Sequence, residues 1–449
     1  MTRENKNGKT RRAFIQDAAV GTTAFAAMTA APAYLSHAQP NETIGVGHIG
    51  VGVRGGELVL QVAGEPDRGK PGIENVQVRG ICDIYKPHQD KGIDRGGNPQ
   101  AKRFIDYREM LADKDIDAVV IAVPDHSHSP LVIDAANAGK DVYIEKCWTR
   151  TLPEAKEMLK AIKYNKTVMQ LGHDRSSPAA IQAGDLIRKG TLGEVTFVRM
   201  GCFRNRPRGH DEWRWYGYYD IFDRPDENMV RENLDWPRFL GTAPYHPFSM
   251  ERFWHWRCYW DYGTGIAGDL LSHAFDFAQS ILNMGIPHCA TTSGNNNLLH
   301  DGREAPDTWN TVFEYPKFGK GMSMLFSSMF NSQAQTPDLH EVEIRGKDAL
   351  MKTSMRGYEV FAEDTSLKFK PGIDSGKIKT GEPFMQFDPQ QTPEQPSHMQ
   401  DFFDCIRSRK QPKDNEDQAF IEAVACIMSV ESYFRKRTVF WDADIQDIV

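Results

Sequence analysis

The stretch GTGIAGDLLSHAFD, Gly263 to Asp276, sets Asp269 and His273 four residues apart. On a helix that spacing puts both side chains on one face, as neighbours one turn apart. Histidine is the side chain whose ordinary pKa, about 6.5, suits proton exchange near neutrality. Asp269 follows Gly268 and is equally a good N-cap, so the same residues describe a capped amphipathic helix. Both readings hold together only if the Asp269 carboxylate turns toward a cleft and away from the N–H groups of its own helix. A third polar residue, Lys146, follows the apolar run DVYI with Glu145 before it. A lysine at the carboxyl edge of a buried strand is poorly placed for the solvated role most lysines play, and that edge is where open α/β sheets bind ligands.

A glycine pattern stands upstream. IGVGVRGG carries Gly50, Gly52 and Gly55 directly after a strand pattern and at the opening of a helix, with Val53 and Arg54 between them. The first glycine suits a tight turn, the second lets backbone approach a pyrophosphate, and the third lets the helix pack closely on the strand. The next strand, VQVRGICD, ends in Asp83, where a carboxylate could accept from ribose hydroxyls and would repel a 2′-phosphate. NAD is therefore expected over NADP, which Lys86 nearby keeps open. Pro124 then closes a strand in AVPDHSHSPLV, followed by His126 and His128. No third ligand stands at motif spacing from this His-x-His pair, so the expectation is a loop that lines the cofactor, and no metal.

These motifs need a scaffold, and the chain's patterning describes one. From Thr43, apolar runs alternate with helical stretches up to about residue 170, the signature of a parallel sheet buried on both faces. Beyond it EVTFVRMGCF, TWNTVFEYP, GMSMLFSSMF, HEVEIRGKDALMKTSM and GYEVFAED read as strands of a mainly antiparallel sheet with one face covered. The fold class is α/β: a Rossmann domain over 41–170, then an α+β domain over 171–449 built on a large open sheet, for substrate binding and oligomerisation. RNRPRGHDEWRWYGYYDIFDRPDENM and PYHPFSMERFWHWRCYWDYGTG are rich in Trp, Tyr, Arg and His. They are either surface loops packed on the sheet or a platform for sugar faces. Two helices around KQPKDNED and a short final strand, TVFWD, close the chain.

The net charge of −7, from 54 Lys and Arg against 61 Asp and Glu, argues against nucleic acid as a partner. Residues 1–38 pair arginines, TRRAFIQ, with a weakly apolar Ala/Thr/Gly run and small residues before a cleavage point, the pattern of a twin-arginine export signal. That implies the export machinery as a partner, a periplasmic location and no stable membrane span. The seven scattered cysteines, with no C-x-x-C, resemble buried small hydrophobes more than a disulfide framework or zinc site.

IGVGVRGG, CD, VPDHSH, EKC and GDLLSH, in this order, resemble the Gfo/Idh/MocA oxidoreductases, specifically the exported bacterial type. LDWPRFLGTAP, YWDYGTGIAGD, GREAPDTWNTVFEYP and DFFDCIRSRKQP extend the likeness over nearly all the chain after the signal. The resemblance implies a nicotinamide nucleotide held between the two domains and a sugar or cyclitol substrate. The family's Glu-Lys-Pro lysine falls on Lys146, with Cys147 in place of the proline, and its Asp-x-x-x-His pair falls on Asp269 and His273. The expected cofactor contacts are Gly50, Gly52, Val53, Arg54, Gly55, Asp83, Pro124, His126, His128, Glu145 and Lys146. The expected substrate contacts are Lys146, His173, Arg204, Tyr262, Asp269 and His273.

In the expected reaction a secondary hydroxyl is oxidised: His273 takes its proton, Lys146 polarises its oxygen, and Asp269 orients His273 or holds a neighbouring hydroxyl. Periplasmic fluid is not expected to supply free NAD, so the nucleotide would travel tightly bound. A rival reading is a glycoside hydrolase or lyase working by transient oxidation at C3, although the Tyr-Pro-Thr-His run of the exported glycosidases is absent. Another is a non-catalytic sugar-binding protein. An open sheet with an apolar outer face would need a partner, which makes a homodimer or homotetramer the expected assembly.

Overall fold

Six short strands form one parallel sheet: β1 (Ile44–Ile49), β2 (Val76–Cys82), β3 (Lys102–Phe104), β4 (Ala118–Ile121), β5 (Asp141–Ile144) and β6 (Met169–Leu171). The structure is a computed structural model that describes residues 43–173, 177–203, 226–300, 302–330, 341–389 and 396–449. The proposed signal, Arg204 and most of the first aromatic stretch lie outside the described residues. Strand order is β3-β2-β1-β4-β5-β6. Every residue of β1, β4 and β5 is buried. Alternation along β4 explains why: Val119 and Ile121 join one core while Ala118 and Val120 join a second, so helices cover both faces of the sheet. β1 lies beside β4 and β2, and the chain reverses its direction of travel across the sheet between β1 and β4. That switch point opens a crevice at the carboxyl ends of the strands, where ligands bind in such sheets. Asp83, Gly50–Gly52, Pro124 and Lys146 all follow strand ends at this one edge.

The second sheet has ten strands, β7 (Val195–Phe203), β8 (Cys289–Asn295), β9 (Thr308–Tyr315), β10 (Met322–Met329), β11 (Val342–Gly346), β12 (Ala349–Ser354), β13 (Gly357–Ala362), β14 (Met385–Gln386), β15 (Val439–Asp442) and β16 (Asp447–Ile448), ordered β14-β13-β12-β11-β7-β10-β9-β8-β15-β16. Among the described residues its neighbouring strands pair antiparallel, except β7 with β10, which are parallel. Period-two alternation is plain in β9, whose Trp309, Thr311, Phe313 and Tyr315 are buried while Val312 is exposed. The buried face packs on two helices, Ser272–Leu282 and Glu416–Arg435. Phe275 meets Phe313, and the Trp309 indole donates to Ser429 at 3.0 Å.

Several elements differ from the sequence expectation. HEVEIRGKDALMKTSM is a hairpin, β11 and β12, turning at Lys347-Asp348. β8 was not anticipated, because CATTSGN is small and polar and becomes a strand only through its ladders to β9 and β15. The expected final strand, TVFWD, is followed by β16, with which it pairs. All seven cysteines are buried, as expected of small hydrophobes. Among the described residues no helix is long and apolar enough to cross a membrane.

Candidate active site

The glycine turn is shaped as a nucleotide cradle. Gly50 has φ +79°, a left-handed conformation, and a Cβ there would strike the Ala122 carbonyl oxygen at 2.5 Å. At Gly55 a Cβ would sit 1.9 Å from the Gly50 oxygen, so the helix Val53–Ala63 can press on the turn only without a side chain. Gly52 is different: its nearest neighbour would be His88 Cε1 at 3.4 Å, which leaves its approach open. The helix starts with no side-chain cap and no acidic residue in its first turn, so its N–H groups and positive end are available to an anion. At the end of β2, Asp83 accepts from the backbone N–H of Val51 and of Tyr85, both at 2.8 Å. This carboxylate ties the glycine turn to the second strand; the oxygen facing Val51 also has His88 Nδ1 at 3.5 Å, and the one facing Tyr85 retains a lone pair for a further donor. Arg54 donates to Glu145 at 2.7 Å, bridging the helix start to the end of β5. The residues present fit a dinucleotide by shape and by donor set.

One residue beyond, Lys146 reaches across to the second part of the chain. Its ammonium donates to the Asp269 carboxylate at 2.9 Å and to the Asp269 carbonyl at 3.0 Å, over 123 positions of sequence. Arg257 donates to the same carboxylate oxygen at 3.0 Å. Burial would push the Asp269 carboxyl up, but the Lys146 and Arg257 cations bonded to it hold it below its ordinary value. Asp269 therefore stays ionised, and two cations share one carboxylate. The Lys146–Cys147 peptide is cis.

Asp269 lies in a π-helical turn, Ala267–Leu271, which runs into the α-helix Ser272–Leu282. The expected single α-helical face for Asp269 and His273 is thus corrected. The wider i→i+5 turn changes their register, a feature common at functional sites. Nor is Asp269 an N-cap, since its carboxylate faces Lys146 and Arg257 and the helix has no side-chain cap. His273 is half-buried and its ring meets that of His173, with centroids 4.9 Å apart and planes at 79°.

Several expected contacts are placed differently. His173 is 2% exposed and its Nε2 lies 2.7 Å from Glu422, which is fully buried. Its imidazole loses hydration by burial, yet Glu422 and Asp276 beside it raise its pKa to about 9. His173, Asp276 and Glu422 offer ligand atoms within 4.8 Å of one another. However, two ligands on a tetrahedral ion at ~2.1 Å stand about 3.4 Å apart, so 2.7 Å between His173 and Glu422 is the spacing of an ion pair. Tyr262 is fully buried against Phe239 and His126 and forms core, not a cleft wall. His126 and His128 are likewise buried. Nε2 of His126 lies 2.7 Å from the Phe239 carbonyl, and the His128 ring nitrogens face the carbonyls of Cys147 and Val123. Both rings anchor backbone inward. Pro124 precedes the short turn Asp125–Ser127.

The described part of the second aromatic stretch packs mainly as a third core, with Tyr85, Trp236, Phe239, Phe253 and Tyr262 together. Arg257, the residue from that stretch that reaches Asp269, was not singled out in the sequence. An arginine inside an aromatic run was its signal. Glu422 had none, as one acid among many on a long helix.

Comparison with known proteins places these features. A model described as "Oxidoreductase family, NAD-binding Rossmann fold" matches residues 44–173, and one described as "Oxidoreductase family, C-terminal alpha/beta domain" matches 195–316. Inositol 2-dehydrogenase of Salmonella typhimurium is 26% identical over 158 residues, 35% of this chain and 45% of that protein. Alpha-N-acetylgalactosaminidase of Shewanella oneidensis is 27% identical over 191 residues, 40% of each chain. The chain thus spans less than half the length of these curated relatives. Levoglucosan dehydrogenase in complex with NADH shares the fold, at TM-score 0.63 and 19% identity over 89% of this chain and 99% of that one. With both halves matched in order, and with the glycine cradle and the Lys146–Asp269 junction in place, the chain belongs to the Gfo/Idh/MocA oxidoreductase family.

Proposed function

We propose that this protein oxidises, reversibly, a secondary hydroxyl of a sugar, glycoside or cyclitol with tightly bound NAD(H). The observation that carries the reading is the 2.9 Å bond between Lys146, at the nucleotide edge of the first sheet, and Asp269, one helical turn before His273. Gly50, Gly52, Gly55 and the open helix start would hold the pyrophosphate, and Asp83 the ribose. When bound, the nicotinamide supplies the hydride acceptor or donor.

The chain's own residues then handle charge and protons. Lys146 and Arg257 give the Asp269 junction a net positive charge, which favours the deprotonated form of a hydroxyl held there. Lys146 donates to that oxygen. His273, half-buried at the border of the junction, accepts its proton and returns it in the reverse direction. Asp269 holds Lys146 in place and ionised. Inositol 2-dehydrogenase and levoglucosan dehydrogenase among the relatives support a cyclitol or sugar as substrate.

A second reading rests on the match to an alpha-N-acetylgalactosaminidase and to glycosyl hydrolase family 109 proteins. In it the same site hydrolyses a glycoside with no net redox change. Two measurements separate them. Mass spectrometry of the nucleotide released on denaturation identifies the cofactor, and a sugar panel then reports any change in its redox state. Release of phenol from p-nitrophenyl glycosides without net nicotinamide change favours hydrolysis. Absence of nucleotide with no turnover on either panel would overturn both and leave a sugar-binding protein.

Export by the twin-arginine route to the periplasm is part of the proposal, supported by TRRAFIQ and the small-residue run after it. Association through the open face of the ten-stranded sheet, as a homodimer or homotetramer, is supported by exposed Val312 on β9 and Phe440 on β15. Signal cleavage after residue 38 and light scattering of the purified protein test these two parts.

A further inference from the structure

His173 was expected to touch substrate, but the structure puts it behind His273. The ring of His173 is 2% exposed, that of His273 is half-buried, and the two meet edge to face at 4.9 Å. On its other side His173 is held by Glu422 at 2.7 Å. The three come from separate places: the segment after β6, the helix Ser272–Leu282 and the helix Glu416–Arg435. Asp276, also buried, lies one turn beyond His273 and within 4.8 Å of the same group.

We propose that the Glu422–His173 pair is a positioning device for His273, fixing the tilt of its ring and holding a cation against it. The proposal rests on His273 being the proton acceptor. An imidazole can turn about two side-chain torsions, and an acceptor nitrogen displaced by about 1 Å loses much of its rate advantage. Contact with a fixed neighbouring ring removes that freedom. The charge acts in the same direction. With His173 already protonated through Glu422 and Asp276, a second proton on His273 would set two cations in ring contact. The other charged groups around this junction, among the described residues, are Asp269 with Lys146 and Arg257 on one side and Asp414 on the other. The Asp269 charge is already shared by two cations, and the His173 ring is in edge-to-face contact with that of His273.

The test uses the full chain with 15N-labelled histidine rings. In the wild-type protein one imidazole should stay doubly protonated at pH 8, and His173→Gln should remove that signal. In Glu422→Gln it should become neutral at pH 8, and the His273 resonances, assigned with His273→Gln, should move in both variants. Nucleotide affinity should stay within a factor of about two. With a turned-over sugar in hand, Glu422→Gln should lower kcat about 10-fold with KM little changed, and Glu422→Asp should recover part of it. A wild-type spectrum with no doubly protonated ring at pH 8 overturns the proposal, whether or not the variants fold. So do His273 signals that stay in place in both variants. Undiminished turnover in His273→Ala would instead overturn the catalytic reading and leave the ring spectra unaffected.

Discussion

Around Asp269, two cations share one carboxylate; around His173, one imidazole is held among carboxylates. Each cluster is buried, but they differ in what reaches them. The first joins Lys146, at the edge of the nucleotide-binding sheet, to Asp269 and Arg257 from the second part of the chain, with Lys146 and Arg257 partly accessible. The second joins a strand end to two interior helices and is closed. An excess of positive charge at an accessible edge can act on a substrate oxygen. A sealed carboxylate pair can act only through the ring it supports. On the proposed reading the first cluster carries the chemistry and the second positions His273.

The comparison can be broken most directly by removing Lys146. Lys146→Ala is expected to lower turnover by ~10²–10⁴, the usual worth of a positioned proton-handling group, while equilibrium dialysis shows nucleotide still bound. A loss below 10-fold would place the chemistry elsewhere. Stability should respond most to Asp269. Asp269→Ala leaves two partly buried cations facing each other, and breaking such a pair costs about 3–5 kcal/mol, readable as a lower urea midpoint. Asp269→Asn should be milder, since the amide oxygen still accepts.

The pH limbs of stability separate the clusters further. The folded pKa of Asp269 is depressed, so its contribution is present above the unfolded value of about 3.9 and is lost as pH falls through the folded one. The folded pKa of His173 is raised to about 9, so its contribution is complete below about 6.5 and is lost as pH rises through about 9. Melting temperatures from pH 6 to pH 10 should therefore fall on the alkaline side in the wild type and stay flatter in Glu422→Gln. Equal slopes would show that the His173 pair contributes nothing to that limb. The smallest effect belongs to Gly52→Ala. A Cβ there meets no protein atom closer than 3.4 Å, so folding should be unaffected and nucleotide affinity should drop about 10-fold, measured by fluorescence titration. Unchanged affinity would remove Gly52 from the cradle.

Much of this was legible in the chain. Continuous Val and Ile runs announced β1, β4 and β5 because a strand covered on both faces has no polar side to show. The glycine spacing announced the cradle because only a missing Cβ permits the turn at Gly50 and the contact at Gly55. Less was legible where a residue's role depends on a partner far away. Tyr262, His126 and His128 have the right chemistry for a site, yet packing turned them into the interior. β3, of three residues, and β8, of small polar ones, carry too little hydrophobic pattern to be seen without their neighbours.

The sequence by itself determined the glycine turn and the two sheet types, and it marked Lys146, Asp269 and His273 as candidates. Local patterns encode these, because strand and helix periodicity and glycine's backbone freedom act over a few residues. Only the tertiary structure decided that Asp269 spends its carboxylate on Lys146 and Arg257 and not on its own helix, and that Glu422 stands behind His173. Those choices are made by electrostatics between groups that meet only after the two sheets have packed. Where a buried charge finds its partner is fixed by the fold's geometry, which no spacing along the chain records.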